Sequence, residues 1–242
     1  MAQGARQIVF VCGGRGTRLR GAQGGGMPKS LTEIAGEPIA RRLIRQFAPL
    51  HAAGPGPIVI VAQGDEATPA MVRAALGSRA VIVEQAAPDG VANAIRLAEP
   101  HLVADALVFL GDIILQGDLS EPPPGQSAVC IWRDAPLATI RENFGVAFED
   151  GAVAELVEKP ADPHGLLCGI GVYALTRDAI ALFASSPINT VKGEREITEA
   201  LRHLMRCGRP LQAFDFNGLY ININRMTDRE EAERLLAGAK RG

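Results

Sequence analysis

Two rhythms of apolar and polar positions run along the chain. Short runs rich in β-branched residues recur at Ile8–Val11, Ile58–Val61, Val81–Val83, Leu107–Leu110, Ala128–Trp132, Phe144–Phe148, Val153–Val157, Ile170–Leu175, Leu211–Phe216 and Tyr220–Ile223. Runs of that length between turn residues predict β-strands. A helical period separates the early ones: Ile39, Leu43, Ile44, Phe47 and Leu50 share one face, as do Ile197, Leu201, Leu204 and Met205. Thr227-Asp228-Arg229-Glu230 has the spacing of a capping box and predicts a C-terminal helix over about 227–238. Strands that alternate with helices across the first half imply a mostly parallel α/β sheet. Phe148-Glu149-Asp150-Gly151 reads as a hairpin turn, which brings antiparallel strands in later. The PPPG stretch at 122–125 reads as a surface loop and no internal repeat is visible, so the expectation is one α/β domain over 1–242.

Composition narrows the function classes. At 242 residues the chain is long enough for a sizeable core. A formal net charge of −2 argues against a general nucleic-acid binder, which needs a basic face. No apolar run approaches the roughly 18 residues of a membrane helix, and MAQGARQIVF lacks the apolar centre of a secretion signal. Cys12, Cys130, Cys168 and Cys207 are widely spaced, without a metal-like pair, and read as free thiols in a reducing compartment. A cytoplasmic protein with no membrane or nucleic-acid partner is expected.

The densest candidate chemistry lies in VCGGRGTRLRGAQGGGMPK, residues 11–29, where seven of nineteen residues are glycine. Glycine in that density costs backbone entropy. The stretch follows the first strand, where an α/β sheet places its ligand crevice. A dinucleotide fingerprint would need a third glycine where Leu19 stands, and a GxxxxGK[ST] loop is absent because Pro28 precedes Lys29. A third reading is a triphosphate cradle of backbone amides over Gly13, Gly14, Gly16 and Thr17, neutralised by Arg18 and Lys29. A long turn with two incidental cations remains as the plain alternative.

GGRGTRL, followed at a distance by PKSLTEIAGEPI, resembles the sugar-1-phosphate nucleotidyltransferases, the sugar-nucleotide pyrophosphorylases. EQAAPDGVANAI is similar to a segment of the glucose-1-phosphate thymidylyltransferase branch. The similarity continues in order through FLGDIIL, NFGVAFEDG, LVEKPADP, GIGVYAL, KGEREITEAL and GLYININRMTD, which span nearly the whole chain. The resemblance implies a Rossmann-like, GT-A-like three-layer sandwich with a mixed, mostly parallel sheet. Its nucleotide-binding part would be residues 1–115 and its acceptor-binding part residues 116–225. It implies Mg2+-dependent transfer of a nucleotidyl group from an NTP to a sugar 1-phosphate, with pyrophosphate released.

Residue by residue, the resemblance places Val11, Gly13, Gly14, Gly16 and Thr17 on the nucleotide, and Arg18 on the leaving pyrophosphate. It gives Lys29 and Asp112 the α-phosphate, with Asp112 as first metal ligand. Gln85, with the turn Pro88-Asp89-Gly90, would read the base, with a lean toward dTTP or UTP. Gly145, Glu158 and Gly171 would meet the sugar, and Lys159 and Lys192 the acceptor phosphate. The chain has 21 arginines and only four lysines, yet three of the four fall on these phosphate contacts. A lysine is a compact point charge that can follow a moving phosphorus centre.

Three departures stand out. Cys12 replaces a usual alanine, the RGAQGGGMPK spacer lacks the usual P-x-T, and Asn222 stands where the family's W-x-D-x-G segment supplies a second metal ligand. An amide oxygen can ligate Mg2+ but brings no charge. A non-sugar phosphate or phosphonate acceptor, and a non-catalytic nucleotide-binding homologue, stay open. At 242 residues the chain is shorter than the thymidylyl enzymes, so their C-terminal helical extension, tetramer and feedback site are not expected, while a homo-oligomer stays open.

Overall fold

β1 (Gln7–Val11) is buried at every position, as a strand is when neighbours flank it and helices cover both faces. In the computed structural model, which describes residues 6–14, 28–47 and 54–239, β1 is the centre of a parallel block. A two-stranded ribbon of β2 (Glu33–Ile34) and β3 (Glu37–Pro38) follows it in the chain. β4 (Ile58–Ala62) lies along one side of β1, with β5 (Val81–Gln85) beyond it; β6 (Ala106–Leu110) lies along the other. The remaining strands are β7 (Ile113–Leu119), β8 (Ala128–Trp132), β9 (Phe144–Glu149), β10 (Ala152–Glu158), β11 (Leu167–Leu175) and β12 (Gln212–Asn222). The sheet runs β5-β4-β1-β6-β11-β8-β12-β7, and the β9–β10 hairpin joins through β11. β11 enters antiparallel to β6, so the sheet is mixed on that side only.

Alternate residues of β1 feed two cores. Ile8 and Phe10 pack on the side of α1 (Ile39–Phe47), α2 (Ala67–Leu76) and α7 (Met226–Ala239). There Phe47 stacks on Phe109 with ring centroids 4.4 Å apart. Val9 and Val11 pack on the side of α3 (Val91–Leu97), α5 (Arg177–Leu182) and α6 (Ile197–Arg206). A further short helix, α4 (Leu137–Glu142), leads into β9. Helix, sheet and helix make the three-layer α/β sandwich that the resemblance implied. Asp150 and Gly151 both take positive φ, 49° and 81°, as the turn of a tight hairpin requires.

Two of the differences between the fold and the sequence pattern have a local reason. Leu211–Phe216 and Tyr220–Ile223 are parts of one strand, β12, because Asn217-Gly218 mimics a turn without making one. Gly218 faces Gly117 of β7, with φ of 146° and 149°, and a Cβ on Gly117 would lie 2.1 Å from the Asn217 carbonyl oxygen. The capping box does not form either: Thr227 is already inside α7. Asp228 Oδ2 instead accepts from the backbone N–H of Asn224 and Arg225, both at 2.7 Å.

Cys12, Cys130 and Cys168 are buried and Cys207 is exposed, all as free thiols. Burial pushes the Cys12 and Cys168 thiols up to about 12, which removes the reactive thiolate at neutral pH. One thiol of the four should therefore titrate with a chromogenic disulfide reagent in the native protein, and all four in denaturant. More than one fast-reacting thiol in the folded state would contradict this packing. No helix among the described residues is long and apolar enough to cross a membrane.

Candidate active site

Parallel strands end at the same edge of a sheet, and that edge is where the candidate residues gather. Gly111 N–H donates to Val11 O at 2.8 Å, drawing the tip of β6 against the tip of β1. A side chain at 111 would forbid this approach, since its Cβ would lie 2.7 Å from Val11 O. Between the tips opens a cleft of about 350 Å³ lined by Val11, Gly14, Lys29, Leu110 and Asp112. Lys29 is fixed there by its backbone. Its N–H donates to Gly14 O at 2.8 Å, and Ser30 Oγ reaches Cys12 O at 3.3 Å. Gly16, Thr17 and Arg18 lie outside the described residues.

The Lys29 ammonium donates to Asp112 Oδ2 at 2.7 Å and to Asn224 Oδ1 at 2.8 Å. The lysine side chain is only 12% exposed, so this ion pair is shielded from solvent more than a surface pair would be. Asp112 Oδ1 and Asn222 Oδ1 are both buried and have no hydrogen-bond partner among the described residues. The end of β12 brings them close in the fold: Asn222 is paired with Ile113, and Ile223 N–H donates to Asp112 O at 2.8 Å.

A chain of hydrogen bonds explains which way the Asn222 amide faces. Asn143 Nδ2 donates to Thr139 O at 2.9 Å, so Asn143 Oδ1 must act as the acceptor. It receives Tyr220 Oη at 2.9 Å and Asn222 Nδ2 at 3.4 Å. The Asn222 oxygen is thereby left facing away from Asn143. Two buried oxygens with unused lone pairs, one on a carboxylate, are donors that suit a hard divalent cation.

The Pro88-Asp89-Gly90 turn is tightly built. Gln85 is buried, and its Nε2 donates to Asp89 Oδ1 at 2.7 Å and Gly90 O at 3.3 Å. Its amide nitrogen is therefore committed to the Pro88-Asp89-Gly90 turn. A Cβ on Gly13 would sit 2.9 Å from Gln85 Oε1. Arg195 N–H donates to Asp89 O at 2.8 Å, so the turn is also stitched to the segment before α6.

Further across the sheet, β11 changes partners halfway along. Leu167–Gly169 pair with β9, and Val172–Leu175 pair with β6. Gly171 sits at the change, where a Cβ would press Leu110 and Ile113 at 3.2 Å. The space beside Gly145 is taken by Leu166, whose Cδ1 would lie 2.5 Å from a Cβ. β10 ends on Glu158, whose Oε2 accepts from Thr198 Oγ1 at 2.6 Å. Lys159 follows with φ of 45°, its N–H bonded to Asn143 O at 2.8 Å. Lys192 is ion-paired with Glu196; their hydrogen bond raises the lysine's pKa and lowers the glutamate's. Glu158 and Glu196 line a second cleft of about 500 Å³ together with Asn189 and Thr198.

The structure thus gathers Lys29, Asp112 and Asn222 at one set of strand tips, and Glu158 with the Lys192–Glu196 pair at another cleft. Asn143, Tyr220 and Asn224 were missed by sequence reasoning. Asn224 shares its segment with Asn222, but the family's W-x-D-x-G pattern directs attention to position 222. Asn143 and Tyr220 carry no local signal.

The strand tips bring a lysine–carboxylate pair and an asparagine amide together at one edge of an α/β sheet. The chain belongs to the nucleotidyl transferase family, whose pattern it matches over residues 7–221. It is 29% identical over 230 residues to the bifunctional protein GlmU of Methanocaldococcus jannaschii, covering 94% of this chain and 53% of that one. It is also 29% identical to the UTP–glucose-1-phosphate uridylyltransferase AglF of Haloferax volcanii, covering 95% and 96%. With a glucose-1-phosphate thymidylyltransferase of Streptomyces antibioticus the identity is 31%, covering 94% and 65%. The chain therefore spans about half of the first relative and nearly all of the second. Among solved structures, the inositol-1-phosphate CTP transferase of T. maritima shares the fold with a TM-score of 0.78 at 21% identity, covering 99% and 98%.

Proposed function

We propose that the protein transfers a nucleotidyl group from UTP or dTTP to a sugar 1-phosphate in the presence of Mg2+, releasing pyrophosphate. The observation that carries this reading is the ion pair of Lys29 with Asp112 Oδ2 at 2.7 Å, flanked by the unpartnered oxygens Asp112 Oδ1 and Asn222 Oδ1. The names of the similar AglF and thymidylyltransferase proteins make glucose 1-phosphate the first acceptor to test.

In the reaction, an oxygen of the acceptor phosphate forms a bond to the α-phosphorus, and the bond from that phosphorus to the bridging oxygen breaks. The electron pair leaves with pyrophosphate. A phosphate dianion is already a nucleophile, so no side chain has to remove a proton, and the work of the site is positioning and charge compensation. Asp112 Oδ1 and Asn222 Oδ1 would hold Mg2+, which supplies positive charge to the phosphates when bound. Lys29 places its ammonium on the α-phosphate, where negative charge accumulates. Lys159 and Lys192 orient the acceptor phosphate, Lys192 exchanging Glu196 for it, and Glu158 meets the sugar hydroxyls. Arg18 completes the set at the leaving group.

The test is a pyrophosphate-release screen of the common NTPs against sugar 1-phosphates, with inositol phosphate and phosphonates included. Release that requires NTP, acceptor and Mg2+ together supports the reading; none from any pair overturns it. Asn222→Asp adds the missing charge to the cation shell and should lower the Mg2+ concentration for half-maximal rate by roughly tenfold. An unchanged Mg2+ dependence would remove Asn222 from that shell.

A further inference from the structure

The Lys29 ammonium is held from two sides, and only one of the two holders is charged. Asp112 Oδ2 lies 2.7 Å away and Asn224 Oδ1 2.8 Å away. Asn224 is itself anchored, because its backbone N–H donates to Asp228 Oδ2 at 2.7 Å at the start of α7. An ammonium has three hydrogens on a freely turning bond, so one contact sets a distance and two set a direction. With two hydrogens committed, the third has no acceptor among the described residues and can serve a ligand in the cleft that Lys29 lines. Asp112 alone would leave the ammonium free to swing around the carboxylate.

We infer that Asn224 is a positioning residue for nucleotidyl transfer: it holds Lys29 at the angle from which the ammonium reaches the α-phosphate. The inference rests on the reading given under Proposed function. It adds that the segment Asn222-Ile223-Asn224 does two separate jobs, an amide oxygen for the cation from Asn222 and a brace for Lys29 from Asn224. A neutral brace has a chemical advantage here. It fixes the ammonium without cancelling the charge that the phosphates must feel.

The scarcity of lysine makes this directly testable. Protein labelled with 15N and 13C in lysine alone contains only four side-chain ammonium groups, from Lys29, Lys159, Lys192 and Lys240, and Lys29→Met assigns the first. In the nucleotide-free protein, Asn224→Ala should shift the Lys29 signal and speed its proton exchange while the other three stay in place. In the same preparation kcat should fall about ten- to a hundredfold, since small misplacements of a reacting group carry costs of that order. KM for both substrates should stay within about twofold, because the brace acts on the transferring phosphorus rather than on binding. Asn224→Asp keeps an oxygen at the same place but adds a charge, so it should slow the Lys29 proton exchange again while restoring only part of kcat; Asn224→Gly repeats the loss with no added side chain.

The outcomes separate cleanly. If wild-type protein turns over but Asn224→Ala turns over equally well, the brace is irrelevant to catalysis and this inference fails alone. If Asn224→Ala leaves the Lys29 signal unmoved, the inference also fails. If wild-type protein releases no pyrophosphate from any NTP and acceptor, the transfer reading fails and takes the inference with it, whatever the Lys29 signal does.

Discussion

Asp112→Ala should lower kcat for pyrophosphate release by about 10³-fold at saturating substrates, the range seen when one preorganised charge-stabilising group is removed. Two losses combine. Asp112 Oδ1 is the charged member of the unpartnered oxygen pair, and Asp112 Oδ2 is the counter-charge of Lys29. Without it the ammonium, 12% exposed, is left with the neutral Asn224 amide as its sole hydrogen-bond acceptor among the described residues. The backbone contribution survives, because Ile223 N–H bonds to the main-chain oxygen of residue 112 and not to its side chain. Removing one partner of a partly buried pair also costs stability, so turnover is compared at a temperature where circular dichroism shows the variant fully folded. Asp118→Ala, at an exposed position of β7, is the control. A kcat within threefold of wild type for Asp112→Ala would discard the site as drawn.

Lys29→Met should lower kcat by roughly 10²- to 10³-fold, again with a modest change in KM. This variant also has an effect of opposite sign that a merely damaged site would not show. In the free protein Lys29 occupies Asp112 Oδ2, so it competes with any cation for that carboxylate. Removing the ammonium frees the oxygen and lifts the repulsion. Mn2+ binding to the nucleotide-free protein, followed by electron spin resonance, should tighten in Lys29→Met while catalysis fails. Weaker Mn2+ binding in this variant would mean that the cation does not share Asp112 with Lys29. Arginine is not a conservative replacement here, because a planar fork cannot occupy the point between Asp112 and Asn224.

Much of this architecture could be read from the chain, and the gaps have physical causes. The strand runs and the α1 and α6 faces were legible because burial on a sheet or helix face imposes a period on the residues themselves. Lys29 and Asp112 were singled out by the resemblance, and both lie on short local structures, the turn at Lys29–Leu31 and the tip of β6. β7 was not legible: its second half, Gln116-Gly117-Asp118, has turn-like composition, and only the facing glycine of β12 turns it into a strand. The brace at Asn224 and the Asn143–Tyr220 relay were invisible for a different reason. Each depends on side chains from segments about eighty or more positions apart, and nothing in a local window marks which asparagine will face which partner. The cap at α7 went to Asp228 rather than Thr227 because the helix begins one residue earlier than the sequence signal suggests.

The change of partner midway along β11 has a further consequence. A sheet that forks has two prongs, and here one prong ends in β6 with its lysine-bound aspartate while the other is the β9–β10 hairpin ending in Glu158. Under the proposed division, the nucleotide rests on the first prong and the acceptor on the second. The hairpin could then lengthen, bend or exchange its tip residues without disturbing the pairing that holds β1 to β6. Such a scaffold lets evolution swap the molecule being activated while the activating chemistry stays as it was.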